Sequence, residues 1–390
     1  MRKIDNEVDT IEPEEGNDNV KNEIPFDPNE ISVHIESMSI WSLIDLLESD
    51  KILIPKYQRL PNLWDDKKKS RFIESLMLNL PIPLFYFDEI EWENQTNHKK
   101  EKKWVVIDGL QRMSTLEHFI VFGKEDEAEI KKKPLELIDL EFKTEYNGKK
   151  WGDLPRDIQR QIETCQVTIS LIGKGTPEEV KYNIFSRINQ GGIELKSQEI
   201  RTALFQGYRI KFIEQIISSK TESGKSFRKA TNNSVPSKRQ EDLDFATRFL
   251  SFYILGFEKY EPDMDSFLTT GTKSIPKDKV EQNKLSVSFQ KAMDLAYEIF
   301  GSNSFRKTAS KGKKNRINKP LFEVISVCFA KLNETEQKKL LQQKKMCKKN
   351  FLELINDKTF WDAITVGTAT KDSVKRRHEL FHKYLNNLIL

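Results

Sequence analysis

The chain has 390 residues, room for two domains or for one core domain with a large helical appendage. Charged residues make up 32%, yet 24 Phe and 6 Trp supply more large apolar side chains than a disordered chain carries, which excludes disorder throughout. The net charge of +4 hides a segregation: residues 1–30 hold ten acids against three basic residues, whereas residues 301–350 hold fourteen Lys or Arg against three Glu. That basic block reads either as a solvated helix face with a loose linker or as a surface that neutralises nucleic-acid phosphates.

No apolar run approaches the roughly 18 residues of a membrane helix, and "MRKIDNEVDTIEPEEG" lacks the apolar core of a secretory signal. A cytoplasmic protein with no membrane partner is therefore expected. Cys165, Cys328 and Cys347 are far apart and odd in number, with no CxxC pair, so they are read as ordinary thiols.

In chain order, residues 1–30 are acidic, poor in aromatics and punctuated by Pro13, Pro25 and Pro28, and are expected to be a disordered tail. "ISVHIESMSI" alternates like a strand. Ser39 is placed to cap a helix with Leu43, Leu46 and Leu47 on one side, and "KILIP" follows as a short buried strand. From Asp65 a second helix puts Phe72, Ile73, Leu76 and Leu80 on one face until Pro81 and Pro83 stop it. "LFYFDEI" reads as a strand, "EWENQTNHKKEKK" as a charged loop, and "KWVVI" as a strand leading into "DGLQRMSTL". "CQVTISLIG" is a further strand, and Pro177 opens a helix that Gly191 and Gly192 would end. Beyond Ser197 the pattern is almost wholly helical. This predicts a mixed α/β domain over 31–205, and an α-helical domain over 206–390 that contains the basic 301–350 segment.

A strand that ends in Asp-Gly and opens a helix carries its own chemistry. Gly109 lets the backbone approach a ligand, and the first free N–H groups of the helix can receive an anion. Arg112, one turn on, offers a fork suited to phosphate, and Gln111 can orient a water or a phosphate oxygen. Asp108 can hold a metal ion, orient Arg112, or simply cap the helix. Alone, such a turn is as readily an ordinary capped turn, and neither GxxxxGK[ST] nor GxGxxG is present.

Its company is more specific. "IPKYQRLPNLW", "LPIPLFYF", "VVIDGLQRMSTL" and "FSRINQGGIELKSQEIRTALF", followed by "SKRQEDLDFATRFLSFYIL", "DSFLTT", "NKPLFEVISVCFAKL" and "FWDAIT", resemble GmrSD-type modification-dependent restriction enzymes, whose N-terminal domain has the ParB and sulfiredoxin-like fold. The resemblance covers most of residues 31–377. It implies an α+β architecture, a ParB/sulfiredoxin-like mixed domain followed by an α-helical one, and no appended nuclease half. It also implies binding of a nucleoside triphosphate with a divalent cation such as magnesium, possible NTPase activity, DNA as partner and a role in prokaryotic antiphage restriction. A separate nuclease subunit and a homo-oligomer are further expectations.

The family's Asp-Gly-Gln-Gln-Arg signature stands here as Asp108, Gly109, Leu110, Gln111 and Arg112. Leu110 replaces a glutamine, a change that bears on hydrolysis more than on binding. By resemblance Asp108, Gln111 and Arg112 are the catalytic candidates, Asp108 also the metal ligand. Gln58, Arg59, Gly109, Gln111 and Arg112 are the nucleotide-binding candidates. Arg59 reads equally as a partner for Asp65 or Asp66. Arg187, Asn189 and Gly192 either line a secondary pocket or DNA contact, or form a helix stop. The sulfiredoxin branch uses a cysteine in its phosphate loop, and none stands in this one. A non-hydrolysing DNA-binding or adaptor module partnering a separate nuclease is the alternative function.

Near the end, "HELFH" at 378–382 fits HExxH, the pattern that sets two imidazoles on one helical face with a glutamate as general base. No His, Asp or Glu follows His382, so a third ligand would have to come from upstream, from His34, His98, His118 or scattered carboxylates. The stretch is read instead as a basic amphipathic helix docking Leu380, Phe381, Tyr384, Leu385 and Leu388. The acids of "EPDMDSF" (261–267) are read as a loop or helix-start cluster rather than a cation site.

Overall fold

A computed structural model describes residues 11–12, 32–53, 64–93, 100–123, 133–173, 175–177, 180–181, 184–185, 196–205, 207–307 and 316–389. The chain divides into two compact units, Ile24–Leu195 and Lys196–Leu390 with Met1–Glu23. The first is mixed α and β, the second is helical, and together they give the α+β class expected.

The mixed unit is built on a five-stranded sheet of β1 (Val33–Ser39), β2 (Ile52–Leu53), β3 (Phe85–Glu93), β4 (Lys100–Asp108) and β5 (Gln166–Ile172), in the order β1-β5-β3-β4-β2. β1 pairs antiparallel with β5 and β3 with β4, while β3–β5 and β2–β4 run parallel. Val105, Val106 and Ile107 are all buried, so β4 is covered on both faces, as its continuous apolar run implies.

Two helices of this unit start where local chemistry says they should. The Ser39 hydroxyl accepts the Ser42 N–H at 3.1 Å to open α1 (Ile40–Glu48), which buries Ile40, Leu43, Ile44 and Leu47. The Asp65 carboxylate accepts the Lys68 N–H at 2.8 Å to open α2 (Asp66–Met77). α3 (Leu110–Leu116) follows β4 and runs on into a π-helical turn, Glu117–Val121. α4 (Arg156–Thr164) precedes β5 and buries Ile158 and Ile162.

Two expectations are corrected. Leu80 is not on the buried face of α2: Asn79 takes a left-handed φ of 51°, the Leu80 N–H reaches back to the Ser75 carbonyl at 2.9 Å, and Leu80 is left 46% exposed. The charged stretch expected as a loop instead lengthens both strands of a hairpin, β3 to Glu93 and β4 from Lys100. Lys102–Glu89 at 2.9 Å and Lys100–Glu91 at 3.5 Å pair across it. Opposite charges on facing strands favour pairing even where no apolar pattern announces it.

The helical unit begins earlier than residue 205. The helix α5 (Ser197–Leu204) belongs to it because Arg201, 1% exposed, is clamped by Asp244 and Asp265, each at 2.8 Å. The acids of "EPDMDSF" are thereby accounted for: Asp263 caps the helix Met264–Lys273 and Asp265 serves Arg201. Phenylalanines 227, 245, 289 and 322 form the centre of the core, with Phe245 and Phe322 edge to face at 4.8 Å. The helix α6 (Lys319–Lys331) carries the fully buried Glu323, which binds Arg377 through both oxygens (2.8 and 2.9 Å) and Arg248 at 3.3 Å.

Of the acidic N-terminal stretch, only Ile11 and Glu12 lie within the described residues, and both are held. Ile11 bridges to Ile317, and the Glu12 carboxylate meets Lys307 at 2.9 Å and the Asn318 amide at 2.8 Å.

Glu74 of α2 is buried, and its carboxylate accepts the N–H groups of Phe142 (2.7 Å), Lys143 (2.9 Å) and Glu141 (3.1 Å). Burial pushes this carboxyl up, but those three N–H groups and Arg71 outweigh it and hold it below its ordinary 4.5. A depressed carboxyl stabilises the fold fully above its unfolded value and loses that contribution as the pH falls through the folded one. Denaturant titrations of wild type and Glu74→Gln should therefore diverge at neutral pH, with the wild type more stable, and converge as the pH drops below 4.5.

Candidate functional site

The corner that joins β4 to α3 is set by Gly109. Its φ of 94° is left-handed, and a Cβ there would stand 2.5 Å from the Phe85 ring and 3.2 Å from Arg112 Nη2. The Gly109 carbonyl accepts the Met113 N–H at 2.8 Å, the first turn of α3. This glycine admits the protein's own Phe85 and Arg112 to the backbone.

Arg112 is buried, at 7% exposure. Its Nη2 donates to Asp108 Oδ2 at 3.0 Å and to the Leu84 carbonyl at 3.2 Å, Nη1 donates to the Pro83 carbonyl, and its Cζ lies 4.6 Å from the centre of the Phe85 ring. Burial pulls the guanidinium below its ordinary pKa, opposed by the Asp108 carboxylate. The side chain expected to hold phosphate thus ties the end of β4 to the strand-entry segment "PLF" of β3. Pro83, Leu84 and Phe85 are the partners that sequence reasoning missed. The aromatic start of "LFYF" was the available signal, since Arg stacks on such faces.

Asp108 and Gln111 sit differently. The Asp108 side chain keeps 37% of its surface in solvent despite its bond to Arg112. Gln111 is half-buried and accepts the Trp64 N–H through Oε1 at 3.4 Å, which ties α3 to the residue just before the Asp65 cap. Leu110 between them is half-buried. The corner therefore presents one accessible carboxylate and one amide at the end of β4. Gln58, Arg59, Arg187, Asn189, Gly191 and Gly192 lie outside the described residues. Lys181 reaches Asp88 of β3 in a buried ion pair.

The class these features define is a mixed α+β domain with a strand–Asp-Gly–helix corner at the end of its central β4. The model of the family described as "GmrSD restriction endonuclease, N-terminal domain" matches residues 43–206, from within α1 through β5 to α5. Residues 43–206 are thus similar to the N-terminal domain of GmrSD-type restriction endonucleases. The match covers less than half of the chain, and no curated protein matches it.

The geometry predicts that Arg112→Ala lowers unfolding free energy by about 1–3 kcal/mol through the carbonyls and carboxylate it leaves unmatched. Arg112→Lys recovers little of this, because a single ammonium cannot span Pro83, Leu84 and Asp108 together. Gly109→Ala should cost about 2 kcal/mol or more, from the left-handed φ and the Phe85 overlap. Urea denaturation of the three variants measures all of these.

Proposed function

We propose that the chain is a nucleotide-dependent, DNA-directed protein of a prokaryotic restriction or antiphage system. The observation that carries the reading is the Asp108–Gly109–Leu110–Gln111–Arg112 corner at the end of β4 inside a region that matches a restriction-enzyme domain family. The nucleoside triphosphate binds against this corner. Asp108 offers its exposed carboxylate to magnesium or to a water, and Gln111 offers its amide to a phosphate oxygen. Arg112 acts as a positioning residue that fixes both by holding β4 to the entry of β3. Gln58 and Arg59 supply the remaining phosphate contacts.

DNA is read through its backbone by the basic helix Lys344–Asn356 of the helical unit, together with the lysine-bearing second half of the helix Glu334–Gln342. Lys338, Lys345, Lys348 and Lys349 are exposed there. Cations that neutralise phosphates release condensed counterions, so this affinity falls steeply with salt.

A second reading, a non-hydrolysing adaptor that partners a separate nuclease, is favoured by one observation. Leu110 stands half-buried where the family's signature has an amide, so the corner lacks one of the polar groups that would act on an attacking water.

The experiment is a titration of the full-length protein with each NTP in the presence of magnesium, with phosphate release followed with and without DNA. The expected result is saturable NTP binding that Gln111→Ala weakens about tenfold, about 1.4 kcal/mol, together with DNA affinity that falls as salt rises. Binding with turnover assigns an NTPase, and binding without turnover assigns the adaptor. Failure of every NTP to bind overturns both nucleotide readings, and salt-insensitive DNA affinity overturns the backbone contact.

A further inference from the structure

The terminal helix α7 (Lys371–Ile389) carries His378 and His382 one turn apart, so both rings leave the same face. His378 is fully buried and lies nearly flat against Phe257, with centroids 4.7 Å apart, and against Phe252 at 5.6 Å. Its Nε2 stands 3.1 Å from Glu323 Oε1. The same carboxylate accepts from Arg377 at 2.8 and 2.9 Å and from Arg248 at 3.3 Å, which sets it between two guanidiniums. An ionised carboxylate only accepts, so Nε2 of His378 carries the proton and donates. With Nε2 facing that carboxylate, Nδ1 is the nitrogen left over.

That Nδ1 is buried and has no hydrogen-bond partner. An unmatched buried acceptor is costly, and it needs a donor or a Lewis acid. Facing α7 from α6 is Cys328, with Sγ 3.7 Å from His382 Nε2. One ligand atom from each of Cys328, His378 and His382 lies within 4.8 Å of the other two. A plain thiol–imidazole contact accounts for Cys328 and His382 but leaves His378 Nδ1 unexplained.

We propose that Cys328 Sγ, His378 Nδ1 and His382 Nε2 form a binding site for a soft divalent metal, zinc foremost, that staples α7 to α6. Zinc bonds of about 2.3 Å to sulfur and 2.0 Å to nitrogen at tetrahedral angles set sulfur and nitrogen about 3.5 Å apart, close to the spacing found. Glu323 behind His378 Nε2 supplies the outer carboxylate that fixes tautomer and ring orientation in metal-ligating histidines. Phe252 and Phe257 cover the imidazole and exclude water. On binding, the Cys328 S–H bond breaks, the sulfur–metal bond forms from its electron pair, and one proton leaves to solvent.

The site is not that of a peptidase. Glu379, the acid of the HExxH pattern, is exposed and paired to Lys375 at 3.8 Å, turned away from the two imidazoles.

The test uses the full-length chain, freed of any affinity tag, stripped with chelator and titrated with zinc and with cobalt. The expected result is one metal per chain, a cobalt form with thiolate-to-metal charge-transfer absorption that Cys328→Ser abolishes, and zinc affinity reduced at least about tenfold by His382→Gln. His382 is half-buried and its replacement leaves the core intact, so this variant decides the matter should Cys328→Ser fail to fold. Glu379→Gln should leave zinc affinity unchanged. Absence of stoichiometric uptake by the wild type, or uptake unaffected in His382→Gln, overturns the proposal.

Discussion

A buried guanidinium can be kept inside a protein only if its N–H groups are matched, and in the mixed unit Arg112 meets that condition with Asp108 and the carbonyls of Pro83 and Leu84. The consequence reaches beyond one side chain. β4 ends at Asp108 and β3 begins at Phe85, so the interaction joins adjacent strands at the end where the candidate site lies. Gly109 is required because Phe85 and Arg112 both press on its backbone. The accessible groups of the corner, Asp108 and Gln111, inherit their positions from this arrangement. Arg112 thus fixes the strand end from which the two accessible groups of the corner project.

The helical unit solves the same problem with the opposite charge. Glu323 is fully buried and matched by Arg377, Arg248 and His378. His378 faces Glu323 through Nε2 and leaves Nδ1 buried and without a hydrogen-bond partner, in a cluster with Cys328 and His382. The tautomer that neutralises one buried group thus creates the ligand of another, as in the carboxylate–histidine pairs of metal centres.

Local chemistry was the legible part of the fold. Ser39 and Asp65 cap the helices they precede, the apolar run of β5 is a strand, and Phe381, Tyr384, Leu385 and Leu388 dock the terminal helix, because each of these depends on residues a few positions apart. The Asp-Gly corner was legible for the same reason. The partners of Arg112 were not, since a backbone carbonyl leaves no mark in the sequence and Pro83 lies 29 positions away. The β3–β4 hairpin was read short because its outer half is held by cross-strand charges that mimic a loop. The docking of the terminal helix is legible from its apolar spacing, and Cys328 is a free thiol as expected. Its contact with His382, 54 positions away, arises only through the packing of two helices, which spacing does not report.

The central claim, that Arg112 is an internal strut and not a ligand-binding arm, is most directly tested by side-chain NMR of the whole chain labelled at arginine and glutamine, before and after addition of NTP and magnesium. The account predicts Arg112 Nη hydrogens that exchange slowly and keep their shifts, while the Gln111 side-chain amide moves. Rapidly exchanging Arg112 hydrogens in the free protein, or Arg112 shifts that follow nucleotide saturation, would contradict it.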